Sequence, residues 1–217
     1  MYLFSKINFT KINFVNFLLA LFPFSFIAGN MLININLLLL IIFSLIFFKK
    51  DFIGIKFLFL DKIIFLFFLL IIFTGIINDL YFFSEKMAWK GYFSTVKKSI
   101  YFLKYLILYI VLRLLIEKNI INLKKFFIFC SIATLFVSFD IFFQFIFGKD
   151  IFGFEALSGS RKLSGPFGDE LIAGGFIQRF SLFAFFVLPF FYPQKSKAIS
   201  KFAIPALFII FFIGIIL

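Results

Sequence analysis

Histidine is absent from this 217-residue sequence, and cysteine occurs once, at Cys130. The absence of histidine removes the usual general base near neutral pH and the commonest metal ligand. A single cysteine excludes an internal disulfide framework. Because carboxylates are also few, the sequence predicts neither a metal site nor a cofactor.

Charged residues are scarce as well. They make up 15% of the chain, whereas 64% is hydrophobic and the mean hydropathy is +1.15. That is too little charge to cover the surface of a water-soluble protein of this size. The apolar runs last about 18 to 22 residues without alternation, which excludes the shorter alternating strands of a β-barrel. The sequence therefore predicts an all-α, polytopic bundle of transmembrane helices.

Seven apolar runs divide the chain into predicted spans, and the well-formed ones are near the ~20 residues that a bilayer core requires. They cover residues 12–29, 31–48, 57–77, 96–116, 123–147, 171–192 and 202–217. We interpret residues 1–217 as a single transmembrane domain. Its last run reaches residue 217 without a flanking charge, so we expect the domain to be incomplete there.

Basic residues outnumber acidic ones, 22 to 10, which gives a net charge of +12. Such an excess can indicate a nucleic-acid partner, but in a membrane protein it arises from cytoplasmic loops that collect Lys and Arg. We therefore predict no nucleic-acid binding. A cytoplasmic N-terminus places roughly twice as many basic residues in the inner loops as in the outer ones. The loop of residues 148–170 then faces outward.

This outer loop reads GKDIFGFEALSGSRKLSGPFGDE. Its glycines and proline exclude a continuous helix, and its apolar side chains predict a position at the membrane boundary. Arg161 and Lys162 would lie at that level, where the planar fork of arginine suits phosphate. We expect the next helix to begin near Asp169, so that Asp169 and Glu170 occupy its first turn and its free N–H groups face outward.

Four polar side chains fall inside apolar runs: Lys104, Asp140, Gln144 and Arg179. A charge near the membrane centre costs about 2.5–3.5 kcal/mol or more and often marks a functional site. The stem of Lys104 is long enough to carry its ammonium group outward. Asp140 and Gln144 are four residues apart and share a helix face. They form either a local polar pair or a brace for the outer loop.

The stretches FDIFFQFIFGKDIFGF and RKLSGPFGDELIAGGFIQRF together resemble the O-antigen ligase and O-antigen polymerase family of bacterial envelope enzymes. The family pattern consists of an external Arg, a Gly-x-Phe turn, a polar pair and a helix start with small residues. In this chain the residues that match the pattern, in the same order, are Arg161, Gly165, Phe167, Glu170, Ala173, Gly174 and Arg179. ALFPFSFIAGN is similar to the family's first helix. The resemblance is specific to this family only over residues 139–180. Many members of the family carry Pro-Asn where this chain has Asp169–Glu170.

The resemblance implies transfer of a glycan from an undecaprenyl-diphosphate carrier to a lipid or glycan acceptor, among the membrane lipids of the bacterial inner (plasma) membrane. Cations at the depth of the leaving diphosphate would stabilise its growing charge. The implied catalytic residues are Arg161, Arg179 and Glu170, the last as an orienting group or base. The implied substrate-binding residues are Lys162, Gly165, Phe167, Asp169, Asp140 and Gln144.

The family's catalytic histidine, on a large outer loop, would follow residue 217. We therefore expect this chain to be an N-terminal part of a longer protein or a degenerate copy, and to be inactive alone. Two other functions stay open: a transporter or lipid-carrier flippase without bond chemistry, and a structural membrane subunit. A transporter predicts polar residues spread over several helices, whereas this sequence concentrates them at one outer boundary.

Overall fold

The computed structural model describes residues 2–54, 56–81, 93–155, 163–168, 170–186 and 197–216. Their helices are α1 (Tyr2–Ala20), α2 (Phe22–Ile27), α3 (Asn30–Phe47), α4 (Lys49–Ile53), α5 (Phe59–Tyr81), α6 (Ser94–Glu117), α7 (Leu123–Phe147), α8 (Ala173–Phe185) and α9 (Lys197–Ile216). A 3-10 turn covers Gly165–Phe167, and one isolated β-bridge joins Lys149 to Glu155. The predicted all-α class is confirmed.

Within the described residues, five helical stretches are long and apolar enough to cross a membrane, so the chain is a helical membrane protein. They are Thr10–Ile27, Asn30–Phe47, Phe59–Tyr81, Ser94–Glu117 and Leu123–Phe147, and they correspond to the first five predicted spans. In the sixth, α8 supplies 13 residues, and residues 187–196 lie outside the described part. In the seventh, the apolar stretch Pro205–Ile216 is shorter than a span. The number seven and the cytoplasmic N-terminus stay predictions.

The chain forms two compact units. The hairpin unit contains residues 41–120, and the split unit contains residues 1–40 and 121–217. The boundary falls within α3, between Leu40 and Ile41. The split unit therefore brings together two segments that are far apart in the sequence, and it contains the whole outer loop.

The hairpin unit is built on α5 and α6, which are close neighbours. A Cβ added to Gly75 would lie 2.4 Å from the hydroxyl oxygen of Ser99, so a larger residue there would force the Ser99 side chain or the helices to move. The buried carboxylate of Asp79 accepts hydrogen bonds from the backbone N–H groups of Thr95 and Val96, at 2.9 and 2.8 Å. It thereby caps the first turn of α6, whose N–H groups lack acceptors within the helix.

The core of the split unit lies where α7, α8 and α9 meet. Its buried members are Cys130, Ala133, Val137, Ile141, Ala173, Phe176, Ile177, Phe180, Ala184 and Phe211. Two glycines allow the helices to approach closely. A Cβ on Gly174 would lie 3.2 Å from the backbone oxygen of Ile215, and one on Gly214 would lie 2.9 Å from the Ile177 side chain. These contacts fix α8 against its neighbours.

The first span is interrupted where α1 gives way to α2. Pro23 stands at the start of α2, where its missing N–H group costs no hydrogen bond. Gly29, with φ of +103°, then separates α2 from α3. The side chain of Asn16 in α1 accepts a hydrogen bond from the backbone N–H of Asn122, at the start of α7. The N-terminal segment is thus tied to α7 within the split unit.

Candidate functional site

The outer loop begins with a short turn that closes on itself. Gly148, with φ of +74°, ends α7 and donates its N–H to the carbonyl oxygen of Gln144. The backbone N–H of Asp150 donates to the carbonyl of Phe154 at 2.9 Å, and the Phe154 N–H donates to the Asp150 carboxylate at 2.6 Å. We call residues 149–155 the carboxylate turn, because its geometry depends on this side chain.

Gln144 binds the second part of the loop. Its side-chain oxygen accepts from the Gly165 N–H at 2.9 Å, and its amide nitrogen donates to the Ser164 hydroxyl oxygen at 3.3 Å. Gly165 has a φ of +54°, and a Cβ there would lie 3.0 Å from the Ile141 side chain. Asp140, one helical turn before Gln144, accepts the Ile151 N–H at 2.8 Å. Both side chains therefore brace the loop, one of the two roles that the sequence left open.

The helix after the loop begins later than expected. α8 starts at Ala173 and not near Asp169, so Glu170 precedes the helix instead of occupying its first turn. The cause lies in the backbone before it: Gly168 has φ of +62° and ψ of −119°, a conformation that glycine tolerates. The Glu170 N–H then donates to the Phe167 carbonyl at 3.2 Å. This turn delays the helix and leaves the Glu170 side chain exposed.

A cleft of about 680 Å³ opens between the α2–α3 junction and the start of α8. Its size is typical of small-molecule sites. Its walls are mostly apolar, and the ionic side chains that line it among the described residues are Glu170 and Arg179. Phe167, which packs against Phe176 with ring centroids 5.5 Å apart, also faces it. Three residues predicted for the site from the sequence therefore line one cleft: Phe167, Glu170 and Arg179.

Arg179 lies on the same face of α8 as Gly175, one turn earlier. Side chains on a helix point toward its N-terminus, so the Arg179 side chain extends toward the first turn. The N-cap residue, Ile172, provides no side-chain hydrogen bond to that turn. No ion pair or hydrogen bond of Arg179 with another described residue is present. A guanidinium group and a free helix N-terminus thus face the same cleft, an arrangement that favours an anion.

An apolar cavity of about 610 Å³ adjoins the cleft. The two share four lining residues: Ile27, Ala28, Phe154 and Pro166. The other lining residues of this cavity are aromatic, namely Phe24, Phe136 and Phe152. The pair of cavities therefore offers a charged end and an apolar end, which suits an amphiphilic ligand.

The remaining predicted site residues divide into two groups. Asp140, Gln144 and Gly165 lie behind the wall of the cleft and do not line it. Arg161, Lys162 and Asp169 lie outside the described residues. Lys104, in α6 of the hairpin unit, is half-buried with its ammonium nitrogen 5.1 Å from the centroid of the Tyr105 ring.

The hairpin unit contains a buried ionic cluster that the sequence did not predict. Asp61 and Arg113 look like loop charges in the sequence, yet Asp61 is 4% exposed and pairs with Arg113 across α5 and α6. The Tyr109 hydroxyl donates to the same carboxylate at 2.8 Å. The sequence does contain a signal for this pair, because Asp61 and Arg113 are opposite charges near the corresponding ends of two consecutive apolar runs. Since every member is paired, the cluster is a structural link between the helices.

Two ionic features remain around the outer loop. Lys149 and Glu155 form an exposed pair 2.9 Å apart, and the hydrogen bond from Lys149 holds the pKa of the Glu155 carboxyl below its ordinary value. Among the described residues, no group of three or more Cys, Asp or Glu side chains is placed to hold a metal ion. Asp150 lies in a loop that looks polar in the sequence, yet its exposed fraction is only 3%.

Comparison with protein-family models finds no matching family, and no curated protein and no solved structure matches the chain.

Proposed function

We propose that the cleft binds the diphosphate of a polyprenyl-linked glycan and that the protein takes part in glycan transfer of the O-antigen ligase or polymerase type. The observation that carries this proposal is that Arg179 and the N-terminus of α8 face one cleft, beside a cavity with aromatic walls. An anionic head and a long apolar tail are the chemistry of a polyprenyl diphosphate. The bacterial inner membrane, where such carriers occur, is part of the proposal.

The anionic head would lie against Arg179. The guanidinium can form two parallel hydrogen bonds to phosphate oxygens. Gly175, one turn away, is exposed, and a Cβ at its position would have no atom within 4 Å. The open space at this glycine leaves room for a head group to approach the first turn of α8, whose N–H groups attract negative charge.

The apolar tail would enter the adjoining cavity. Phe154 and Pro166 line both spaces, so a ligand that fills them passes these two side chains. Burial of hydrocarbon there contributes binding energy in proportion to the area removed from water. It also holds the head group at a fixed depth beside Arg179.

In the proposed reaction, an acceptor hydroxyl oxygen attacks the anomeric carbon, and the bond from that carbon to the diphosphate oxygen breaks. The electron pair leaves on the diphosphate, and Arg179 stabilises the charge that develops there. The hydroxyl proton passes to a base. Glu170 is the carboxylate that lines the cleft, and we assign it the role of orienting or deprotonating the acceptor. Arg161, Lys162 and Asp169 keep their predicted roles as part of this proposal.

Donor binding tests the proposal directly. The protein is placed in nanodiscs, and its affinity for a fluorescent polyprenyl-diphosphate disaccharide is measured for the wild type, Arg179→Ala, Arg179→Lys and Glu170→Gln. Loss of a charge-assisted contact predicts roughly 10- to 100-fold weaker binding for Arg179→Ala. Arg179→Lys should recover part of it, and Glu170→Gln should bind normally. Lys98→Ala, which removes an exposed cation of α6, is the matched control.

A second measurement separates transfer from transport. In cells that lack the gene, the lipid-linked glycan should accumulate, and the wild-type gene but not the Glu170→Gln variant should restore its normal level. Unchanged donor affinity in Arg179→Ala would refute the proposed site. Movement of intact donor across vesicle membranes, without release of diphosphate, would favour the alternative function of a lipid-carrier flippase.

A further inference from the structure

Two buried carboxyl groups lie behind the cleft wall: Asp140 of α7 and Asp150 of the carboxylate turn. Their exposed fractions are 0% and 3%. One oxygen of each accepts a backbone N–H of the turn, from Ile151 and Phe154 respectively. The other oxygen of each, Oδ2, is buried and has no hydrogen-bond partner in the part of the chain that the structure describes. No Lys or Arg of the described residues pairs with either group.

This arrangement is costly if both groups are anions with nothing between them. A carboxylate that leaves water loses its hydration, and a buried charge needs an opposite charge or hydrogen bonds to all its oxygens. Asp140 accepts the N–H of Ile151, the residue that follows Asp150, so the two carboxyl groups belong to the same small region. Because no Lys or Arg of the described residues neutralises the pair, a bound cation or bound protons can supply the compensating charge.

Further oxygen donors surround the pair. Gln144 lies one helical turn from Asp140, and its side-chain oxygen, which accepts the Gly165 N–H, has a second lone pair. The hydroxyl of Ser164, which is 1% exposed, is joined to Gln144 by a hydrogen bond. The Phe154 carbonyl accepts the N–H of Asp150 in the same turn. Hydrogen bonds thus connect amide, hydroxyl and carbonyl oxygens in the same part of the loop that binds the two carboxyl groups.

We propose that Asp140 and Asp150 bind a calcium ion. The double charge of the ion balances the two carboxylates, and oxygen donors are its preferred ligands. Mg²⁺ usually keeps several waters and requires near-octahedral geometry. The free oxygens here are closed to solvent, which suits Ca²⁺, because it accepts irregular sites made of protein oxygens. The support for this site is that both acids have a buried Oδ2 atom without a partner among the described residues, and not only that two acids are neighbours.

The ion would have a positioning role. Asp150 belongs to the carboxylate turn, and Phe154 of that turn lines both the cleft and its apolar neighbour. A cation between α7 and the turn would fix this wall. The inference does not rest on the proposed glycan transfer, since it concerns the stability of the fold with or without a donor.

The test is a calcium titration of the full chain in detergent micelles after treatment with EGTA. One Ca²⁺ per chain should bind in equilibrium dialysis with radioactive Ca²⁺. Thermal unfolding should shift upward by roughly 5–10 °C when free Ca²⁺ is about 100-fold above its Kd. Mg²⁺ at the same concentration should produce a smaller shift.

Asp140→Asn/Asp150→Asn is the informative variant, because asparagine keeps the oxygen that accepts each backbone N–H. It should lose the calcium-dependent shift and at least ten-fold in affinity, while in EGTA it should unfold no earlier than the wild type. Glu155→Gln, which changes the exposed acid of the same turn, should keep the wild-type response. Absence of saturable binding by the wild type overturns the proposal without need of the variant. Equal calcium responses of wild type and double variant also overturn it. Stabilisation of the wild type by acid, with no calcium effect, would assign the pair to bound protons instead.

Discussion

The side chain of Gln144 holds the backbone of Gly165: its oxygen accepts the Gly165 N–H at 2.9 Å, across 21 residues of sequence. Both groups are buried. The turn that lines the cleft is thereby fixed to the end of α7, and the position of the cleft wall depends on this one amide.

Gln144→Leu should destabilise the protein. It removes the acceptor of the Gly165 N–H and leaves that donor buried without a partner, at a cost of about 1–3 kcal/mol. For a chain of this length, each kcal/mol corresponds to roughly 2–4 °C in Tm. The measurement is thermal unfolding in detergent, with the exposed Gln178→Leu as control. Equal Tm values for the two variants would contradict a bracing role for Gln144.

Gly165→Ala should destabilise the loop for a different reason. The left-handed backbone at this position costs a residue with a Cβ about 1–2 kcal/mol, and the added Cβ would also press on Ile141 at 3.0 Å. Gly175→Ala is the matched control, because a Cβ there meets no atom within 4 Å. Limited proteolysis of the loop should be faster in Gly165→Ala only. Equal cleavage rates would show that the turn is not strained by the substitution.

Two of the ion pairs of the hairpin unit, Arg113 with Asp61 and Lys118 with Asp51, should differ sharply in their contribution to stability. Arg113→Ala leaves the buried Asp61 carboxylate without its cation and should cost about 3–5 kcal/mol. Lys118→Ala removes a pair with Asp51 in which both side chains are more than one third exposed, so it should cost less than about 1 kcal/mol. Thermal unfolding of both variants tests this order, and similar losses would show that the Asp61 pair is not a structural link.

Hydropathy was enough to locate the first five spans, because insertion into a bilayer depends on apolar length, a local property of the sequence. Asp140 and Gln144 could be identified for the same reason, since polar groups stand out within an apolar run. Asp150 could not: it lies in a loop that looks polar, and its burial depends on the turn folding back onto α7. The Asp61–Arg113 pair joins residues 52 positions apart, so it exists only after α5 and α6 align.

The start of α8 shows a second limit of sequence interpretation. Asp169 and Glu170 have the composition of a first helical turn, but the unusual backbone of Gly168 and the bond between Glu170 and Phe167 delay the helix. Turn geometry of this kind depends on the packing of Phe167 and Gly165 against α7 and α8. Local residue preferences do not contain that information.

The predicted orientation is open to a direct chemical test. In a Cys130→Ala background, Glu155→Cys should react with an impermeant maleimide in intact cells, because its side chain is exposed on the outer loop. Lys118→Cys, which the predicted orientation places on the cytoplasmic side, should react only after the membrane is permeabilised. The reverse pattern would show that the N-terminus faces outward.

The hydrogen bond between Asn16 and Asn122 has a consequence for biosynthesis. The ribosome makes the two partners 106 residues apart, and the entire hairpin unit is synthesised between them. α5 and α6 can therefore associate after α1 has been inserted into the membrane and before α7 has been synthesised. Asn16 also bonds back to the Ile12 carbonyl of its own helix, at 2.8 Å. That local bond gives the Asn16 amide nitrogen an acceptor before α7 exists. α1 can therefore be inserted into the membrane early and bind α7 later.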